Sequence, residues 1–152
     1  MKQALEQADR DALGGRALNF SLLAEWHKLA CPGEEVRAEA WAFAKGGTER
    51  YSLNNELLDQ RLQALESERP LVRAVRAYLD ILFFHPFTDG NSRAARLAFH
   101  YFSTVDGMRF RNLDPLFRLS IPAGNARGYR LFWELALRLV DPPANEKEVD
   151  AL

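Results

Sequence analysis

The chain of 152 residues is 47% hydrophobic and 11% aromatic, which supplies enough apolar material for one domain with one core. Its 20 Lys and Arg against 21 Asp and Glu give a formal net charge of -1, so the general positive charge of proteins that bind duplex nucleic acid is missing. The single cysteine excludes an internal disulfide, and with neither an apolar run of membrane-spanning length nor a signal-peptide core, the sequence predicts a cytoplasmic protein or an effector delivered into a host cell, with no nucleic acid and no membrane as partner.

Amphipathic helices are predicted over most of the chain, because apolar residues recur along it at spacings of three and four. Gly14-Gly15 ends the first helix, and Pro70 begins the fourth, since proline is favoured in the first turn of a helix. Asn125 is the predicted cap of the last helix, and Pro142-Pro143 ends that helix. The predicted helices cover residues 1–13, 17–30, 54–67, 70–84, a segment that follows residue 91 and runs to Gly107, and 125–141.

One segment departs from the helical pattern. From Val36 to Phe43 small apolar residues alternate with larger or charged ones, Lys45-Gly46-Gly47-Thr48 has the composition of a turn, and Glu49–Tyr51 can return. We therefore predict a β-hairpin over about residues 36–51. The predicted fold class is all-α, as a compact helical domain with this one small hairpin.

The stretch FFHPFTDGNSRAARLAFHYF, from Phe83 to Phe102, places a polar loop between two apolar helices. The loop ends where the apolar helix after it begins. The first turn of a helix offers unpaired N–H groups at the positive end of the helix dipole. Gly90 lets the backbone approach a ligand, while Asn91 and Ser92 add side-chain donors. Together these features predict an anion cradle, with phosphate as its common occupant.

Four charged or titratable residues flank this cradle. Arg93 and Arg96 are three positions apart, so they share a helix face from which two guanidinium groups could grip the outer phosphates of a nucleotide. Asp89 is the predicted magnesium ligand, because Mg2+ commonly takes one or two carboxylates together with phosphate oxygens. His85 is the predicted general base, because an imidazole titrates near neutral pH and can accept a hydroxyl proton.

Each of these residues has an ordinary structural interpretation when it is taken alone. His85 could be a structural histidine, Asp89-Gly90 a turn and the arginines a solvated helix face, while Phe87 is expected in the core on any interpretation. The combined pattern H-x-F-x-[DE]-G-N-x-R-x-x-R fixes seven positions, and such a pattern rarely arises by chance. We therefore favour the functional interpretation.

The motif HPFTDGNSRAAR resembles the signature of the Fic (Fic/Doc) family, which is commonly written HPFx[D/E]GNGRxxR. Members of that family mostly transfer AMP from ATP to a hydroxyl side chain of a target protein. The resemblance implies a protein adenylyltransferase with ATP as co-substrate and Mg2+ as cofactor. By position, it makes His85 the base, Asp89 the metal ligand, and Pro86 with Phe87 the structural anchors of the loop. The residues that it implies for binding the nucleotide phosphates are Gly90, Asn91, Ser92, Arg93 and Arg96.

The resemblance also implies a domain layout. Residues 17–141 would form the Fic domain, residues 1–16 an N-terminal extension and residues 142–152 a polar tail, with the active-site loop at residues 85–93. In the family a hairpin flap ahead of the motif clamps the target protein, and the hairpin at about residues 36–51 takes that place here. The implied target-docking residues are Trp41, Phe43, Ala44, Lys45, Gly46 and Gly47.

One departure from the signature leaves the transferred group open. Ser92 stands where the family pattern has its second glycine, and its side chain could narrow the phosphate site or donate a hydrogen bond into it. The alternatives are a Fic-fold transferase that uses another nucleotide, a Doc-like protein kinase toxin, and a catalytically silent binding module. The retained Gly90 and Asn91 favour nucleotidyl transfer.

The sequence holds no complete inhibitory motif. Many family members carry a helix with the pattern [S/T]xxxE[G/N], and the nearest matches here, Ser21–Glu25 and Ser52–Glu56, lack the final Gly or Asn. For Ser21 and Glu25 we favour a simple surface contact. The chain is then unrestrained, restrained by a separate antitoxin-like inhibitor, or part of a longer one. His27 and His100 have no cysteine or histidine at metal-ligand spacing, so ordinary core or surface roles are expected for them.

Overall fold

The computed structural model describes residues 1–43 and 50–142, and for Ala42 and Arg50 it describes the backbone alone. Apart from its first residue, the predicted tail at residues 142–152 lies outside this part of the chain. Helices make up most of the described residues, which confirms the all-α class. The elements are α1 (Lys2–Leu13), α2 (Phe20–Ala30), β1 (Trp41–Phe43), β2 (Arg50–Ser52), α3 (Asn55–Ala64) with a 3-10 turn at Leu65–Ser67, α4 (Pro70–Phe84), α5 (Asn91–Val105), α6 (Asp114–Phe117) and α7 (Ala126–Leu139).

Asparagine side chains begin three of the helices. The side-chain oxygens of Asn19, Asn54 and Asn125 each accept from the backbone N–H three residues further on, at 2.8, 3.0 and 2.8 Å. Such a cap satisfies an N–H group that the helix leaves unpaired, and it contributes about 1 kcal/mol. The cap at Asn19 starts α2 at Phe20 rather than at residue 17, and the predicted cap at Asn125 is confirmed.

The last helix ends earlier than its prolines predict. α7 ends at Leu139, and Val140 takes an extended conformation (φ -69°, ψ 131°) that forms an isolated bridge with Phe110. Arg111 N donates to the Leu139 carbonyl at 3.0 Å. Pairing with the segment after α5 therefore ends α7 before Pro142 is reached.

The consecutive helices α4 and α5 form the centre of the fold and carry the candidate loop between them. α5 also packs against α1 and α2, and the alanines on one face of α1 lie in the same core, so the predicted extension at residues 1–16 is part of the packed body. Burial of each large apolar side chain contributes about 1.5–3 kcal/mol. The largest fully buried side chains of the core helices include Trp26, Ile81, Phe99, Phe102 and Phe132.

Within residues 1–43 and 50–142, no helix combines the length and the apolar character that crossing a bilayer requires.

The predicted hairpin is present as two short antiparallel strands. Trp41 lies opposite Ser52, and Phe43 lies opposite Arg50. The residues that would join the strands, 44–49, are outside the described part of the chain. The small sheet therefore lies where the sequence places it, ahead of α3 and about 40 residues before the motif.

Residues 35–37 pair with the candidate loop instead of with β2, which corrects the predicted start of the hairpin at residue 36. Val36 forms an isolated antiparallel bridge with Phe87, and Arg37 N donates to the Pro86 carbonyl at 2.7 Å. The loop is buried at these positions, and buried backbone groups need hydrogen-bond partners. The segment before β1 supplies those partners, so the hairpin and the loop are joined through the backbone.

Candidate active site

The residue that ends α4 has an uncommon backbone conformation. His85 lies in the left-handed region (φ 50°, ψ 56°), and it is the only non-glycine residue with a positive φ among residues 1–43 and 50–142. This conformation costs about 1–2 kcal/mol for a residue with a Cβ, so the surroundings must hold it. The half-buried imidazole stacks on the ring of Tyr51 from β2, with ring centroids 4.0 Å apart and planes 9° apart. The predicted base thus has a defined place against the hairpin.

Asn91 closes the loop from its other end. The side-chain oxygen of Asn91 accepts from Phe87 N, and the side-chain nitrogen donates to the Phe87 carbonyl, both at 2.9 Å. Asn91 is 4% exposed, so both polar atoms of the side chain are used inside the loop. The predicted donation from the side chain to a phosphate stays a prediction, which rests on the second N–H of the amide. The backbone N–H of Asn91, at the first position of α5, is a further group that the residue can offer to an anion.

Phe87 and His27 hold the loop against the core. The Phe87 side chain is fully buried, as expected, and it stacks on the His27 ring with centroids 3.7 Å apart and planes 3° apart. His27 Nε2 donates to the Asp89 carbonyl at 2.8 Å. Burial lowers the pKa of His27, so the neutral ring with its proton on Nε2 makes this bond. No pattern in the sequence reveals this contact, because His27 precedes Asp89 by 62 residues and belongs to no motif.

We expect His27→Ala to lower the free energy of unfolding by about 2–4 kcal/mol, because it removes a buried ring and leaves the Asp89 carbonyl without its donor. His27→Gln keeps an amide donor, so its free energy of unfolding should fall clearly less than that of His27→Ala. Urea unfolding measures both values, and His100→Ala serves as a control on a partly exposed histidine. Equal losses for His27→Gln and His27→Ala would show that the hydrogen bond to Asp89 contributes nothing.

Gly90 caps the start of α5. Its backbone is left-handed (φ 78°, ψ 15°), and an added Cβ would lie 2.3 Å from Cys31 Sγ and 3.1 Å from His27 Nε2. Both the backbone angle and the lack of room therefore require glycine at this position. No side chain of the described chain caps α5, in contrast to the asparagine-capped helices. The N–H groups of its first turn thus have the geometry of an anion site.

Asp89, Ser92 and Arg93 lie at the exposed mouth of this helix end. Asp89 Oδ1 accepts from Gly90 N at 2.6 Å, and Asp89 Oδ2 forms an ion pair with Arg93 Nη2 at 3.3 Å. The two paired side chains are 70% and 42% exposed, so their pairing contributes at most about 1 kcal/mol. A ligand or a cation could therefore displace either partner at little cost. Ser92 is exposed in the first turn beside them.

Arg96 has a different partner from Arg93. Arg96 Nη2 donates to the Phe117 carbonyl at 3.3 Å, and its guanidinium lies 5.1 Å from the centroid of the Phe117 ring. Arg96 Nε is buried and makes no hydrogen bond within the described chain. The two arginines that the spacing places on one helix face are thus held by different elements, Arg93 by the loop and Arg96 by α6.

The hairpin presents two aromatic side chains to solvent. Trp41 is 48% exposed and Phe43 is 56% exposed, and their rings meet edge to face with centroids 5.2 Å apart. They are two residues apart on one strand, so they share a face of the hairpin. The other predicted docking residues lie outside the described part of the chain; they are Ala44, Lys45, Gly46 and Gly47.

The glutamate of the nearest inhibitory match has a partner of its own. Glu25 accepts two hydrogen bonds from Arg16, at 3.0 and 2.8 Å. Both side chains are half exposed. Glu25 is therefore a surface residue as expected, but its partner is Arg16 and not the predicted Ser21.

Metal-ligating side chains do not converge anywhere among residues 1–43 and 50–142: no group of three or more His, Cys, Asp or Glu could hold an ion there. A divalent cation at the loop would rest on the Asp89 carboxylate together with oxygen atoms of a ligand, which is the common arrangement for Mg2+. His100 lies away from the loop and pairs with Asp9 at 2.7 Å.

Comparison with known proteins identifies one family. The model of the Fic/DOC family matches residues 18–103, which is more than half of the chain. The match includes α2, the hairpin, α3, α4, the candidate loop and most of α5. No curated protein and no solved structure matches the chain.

Proposed function

The chain belongs to the Fic/DOC family, and we propose that it is a protein adenylyltransferase, which transfers AMP from ATP to a Ser, Thr or Tyr hydroxyl of a target protein. The observation that carries the proposal is the loop between α4 and α5. It joins His85, in a conformation held against the hairpin, to a glycine-led helix end whose first turn has no side-chain cap. A base beside an anion site is the combination that phosphoryl and nucleotidyl transfer require.

His85 is the residue that we assign as general base. It would accept the proton of the target hydroxyl as the oxygen bonds to the α-phosphorus of ATP and the bond to pyrophosphate breaks. The stack on Tyr51 fixes the plane of the imidazole. Because proton transfer depends on the alignment of donor and acceptor, a ring held in one plane supports this role.

The phosphates would be bound at the first turn of α5. Gly90 brings the backbone close to them, and the N–H groups of Asn91 and Ser92 would donate to their oxygens. Arg93 would exchange its weak ion pair for charge-assisted hydrogen bonds to phosphate. Asp89, exposed and freed by that exchange, fits a magnesium site of one carboxylate, and the bound ion would neutralise phosphate charge.

Arg96 is the residue that we assign to the outermost phosphate. Its contact with Phe117 holds the guanidinium against α6. A cation that is partly desolvated and has a buried Nε without a partner within the described chain gains more from a phosphate than a fully hydrated one would. A nucleotide that reaches Arg96 would therefore compete with the Phe117 carbonyl for it.

Labelled nucleotides test the proposal. The purified chain is incubated with Mg2+ and lysate proteins, once with ATP labelled at the α-phosphate and once at the γ-phosphate, and modified proteins are identified by mass spectrometry. We expect an AMP-sized gain that carries the α-label. A γ-label instead would identify a protein kinase. Transfer from UTP, GTP or a choline nucleotide alone would show that the co-substrate is that nucleotide and not ATP. No transfer from any of them would contradict the assignment as a transferase.

The exposed aromatic pair on β1 supports a second part of the proposal, in which the hairpin docks the target protein. An extended segment of another protein can add to a short sheet as a further strand, and two exposed aromatic rings add apolar contact area. A separate antitoxin-like inhibitor remains a further proposal. In the family the inhibitory glutamate pairs with the second arginine of the motif, so the carboxylate of such an inhibitor would bind Arg96 here.

We expect the double change Trp41→Ala and Phe43→Ala to raise the KM for the target protein by about 10-fold or more, because exposed interface aromatics commonly contribute 1 kcal/mol or more each. Nucleotide affinity should stay within about twofold. Leu137→Ala on α7, where the leucine is also 48% exposed, is the matched control. Rates of label transfer at several target concentrations measure the effect. An unchanged KM would remove the hairpin from target docking.

A further inference from the structure

Arg37 is a buried arginine whose guanidinium is bound by backbone carbonyls. The residue is 4% exposed. Its Nε donates to the His85 carbonyl at 3.0 Å, its Nη2 to the Phe84 carbonyl at 3.3 Å and its Nη1 to the Glu39 carbonyl at 3.3 Å. Burial lowers the pKa of Arg37 below its ordinary value, although a guanidinium stays charged.

The two carbonyls at the end of α4 are groups that need such a donor. The last carbonyls of a helix have no partner within it, and they form the negative end of the helix dipole. A cation placed there is stabilised by both effects, which offsets the cost of its burial. The Arg37 guanidinium thereby holds the two peptide groups on either side of the His85 Cα, Phe84–His85 and His85–Pro86.

The contact of Arg37 with the His85 carbonyl helps to hold the strained backbone of His85. His85 is held in the left-handed region, which favours glycine, and its own N–H donates to the Ile81 carbonyl at 3.0 Å. The orientation of its imidazole follows from that backbone, because Cα fixes the direction of the side chain. If the carbonyl of His85 were released, the backbone could relax and the ring would leave its stack on Tyr51.

The same arginine also joins the loop to the hairpin. Its backbone N–H donates to the Pro86 carbonyl at 2.7 Å, and it lies four residues before β1. Tyr51, which stacks on His85, belongs to β2. The ring of His85 is therefore contacted by the hairpin, through Tyr51, and its carbonyl by the segment that leads into the hairpin, through Arg37.

We propose that Arg37 is a positioning residue that sets the orientation of His85 by holding its left-handed backbone, so that the base is aligned by the segment leading into the hairpin that docks the target. This inference rests on the proposed function for the role of His85. The placement of the ring by Arg37 is a structural statement that can be tested without any transfer reaction.

The test uses Arg37→Lys, which keeps a charge but lacks the planar fork that spans two carbonyls. We expect the transfer rate at saturating ATP and target to fall by about 10- to 100-fold, as a misplacement of about 1 Å can cause, while the affinity for ATP stays within about twofold. Arg61→Lys, at a partly exposed arginine that pairs with Asp80, is the matched control and should change neither.

Proton NMR of the histidine rings separates a positioning role from a general structural one, because it reports the chemical shift of the His85 ring by itself. The chain has three histidines, and His85→Asn identifies the resonances of His85. The stack on Tyr51 shifts those resonances upfield. In Arg37→Lys we expect this shift to shrink while the resonances of His27 and His100 stay in place. A His85 shift equal to that of the native chain, or equal changes at all three rings, would overturn the proposal.

Arg37→Gln is the second variant, because it removes the buried charge and retains an amide donor for one carbonyl. If neither variant gives the dispersed spectrum of a folded chain, Arg37 is required for folding and the proposal is wrong. Suppose that the native chain transfers no group while Arg37→Lys still changes the chemical shifts of the His85 ring alone. In that case the proposed function fails and the positioning role stands.

Discussion

Replacement of His85 is expected to abolish transfer while ATP still binds. His85→Ala should lower the transfer rate by about 10²–10⁴-fold, which is the usual contribution of a positioned base. The affinity for ATP should change by less than about threefold, because the phosphate-binding groups belong to the first turn of α5 and not to His85. Label transfer from α-labelled ATP measures the first quantity, and calorimetric titration with Mg2+ and ATP measures the second.

The left-handed backbone of His85 calls for a second substitution in this experiment. Alanine carries the full cost of that conformation, whereas asparagine tolerates it better. His85→Asn therefore removes the base with less disturbance of the loop, and its loss of rate should match that of His85→Ala. His100→Ala is the control for the loss of an imidazole elsewhere on the chain. If His85→Asn retains transfer, another group accepts the proton.

The order of helices follows from the sequence because its causes are local. Apolar spacing and the asparagine caps act within one or two turns, and α2, α3 and α7 begin where those caps lie. The motif itself is also local, and it marks the junction of α4 and α5 correctly. The hairpin was predicted too long, since an alternating pattern shows that a segment is extended but not which strand it pairs with.

The contacts that shape the loop are not local, which is why the sequence did not reveal them. Arg37 reaches His85 across 48 residues, and His27 reaches Asp89 across 62. No spacing rule links such pairs. Asn91 shows a related limit: its residue type predicts hydrogen bonds, but only the folded loop shows that they go to Phe87.

These contacts together explain how a short loop keeps two left-handed residues. Arg37 holds the carbonyl of His85, His27 holds that of Asp89, and Asn91 binds both backbone groups of Phe87. Each net hydrogen bond contributes about 1 kcal/mol, so the set is at least of the same order as the strain at His85, since Gly90 adopts the left-handed region without a Cβ penalty. Loss of one contact should therefore shift the loop without unfolding the chain, which is the range in which activity and stability can be measured separately.

Gly90→Ala is expected to weaken ATP binding by about 10-fold or more and to destabilise the chain by about 2–4 kcal/mol, because a left-handed backbone and overpacking both oppose the new Cβ. That Cβ would lie 2.3 Å from Cys31 Sγ, so the start of α5 must move away from Cys31 or the sulfur must be displaced. Either shift alters the N–H groups that we assign to phosphate. Calorimetric titration with ATP and urea unfolding measure the two losses.

Two further variants separate the causes. Gly107 also has a left-handed backbone (φ 61°), but an added Cβ there would have no atom within 4 Å, so Gly107→Ala reports the cost of the backbone alone. Cys31→Ala removes the sulfur with which the Cβ of Gly90→Ala clashes. The double variant should therefore lose about 1–2 kcal/mol less free energy of unfolding than the sum of the single changes. Additive losses would show that the sulfur is not the obstacle. Equal losses of ATP affinity in Gly107→Ala and Gly90→Ala would show that close approach at α5 has no part in binding, since only Gly90 lies at that helix end.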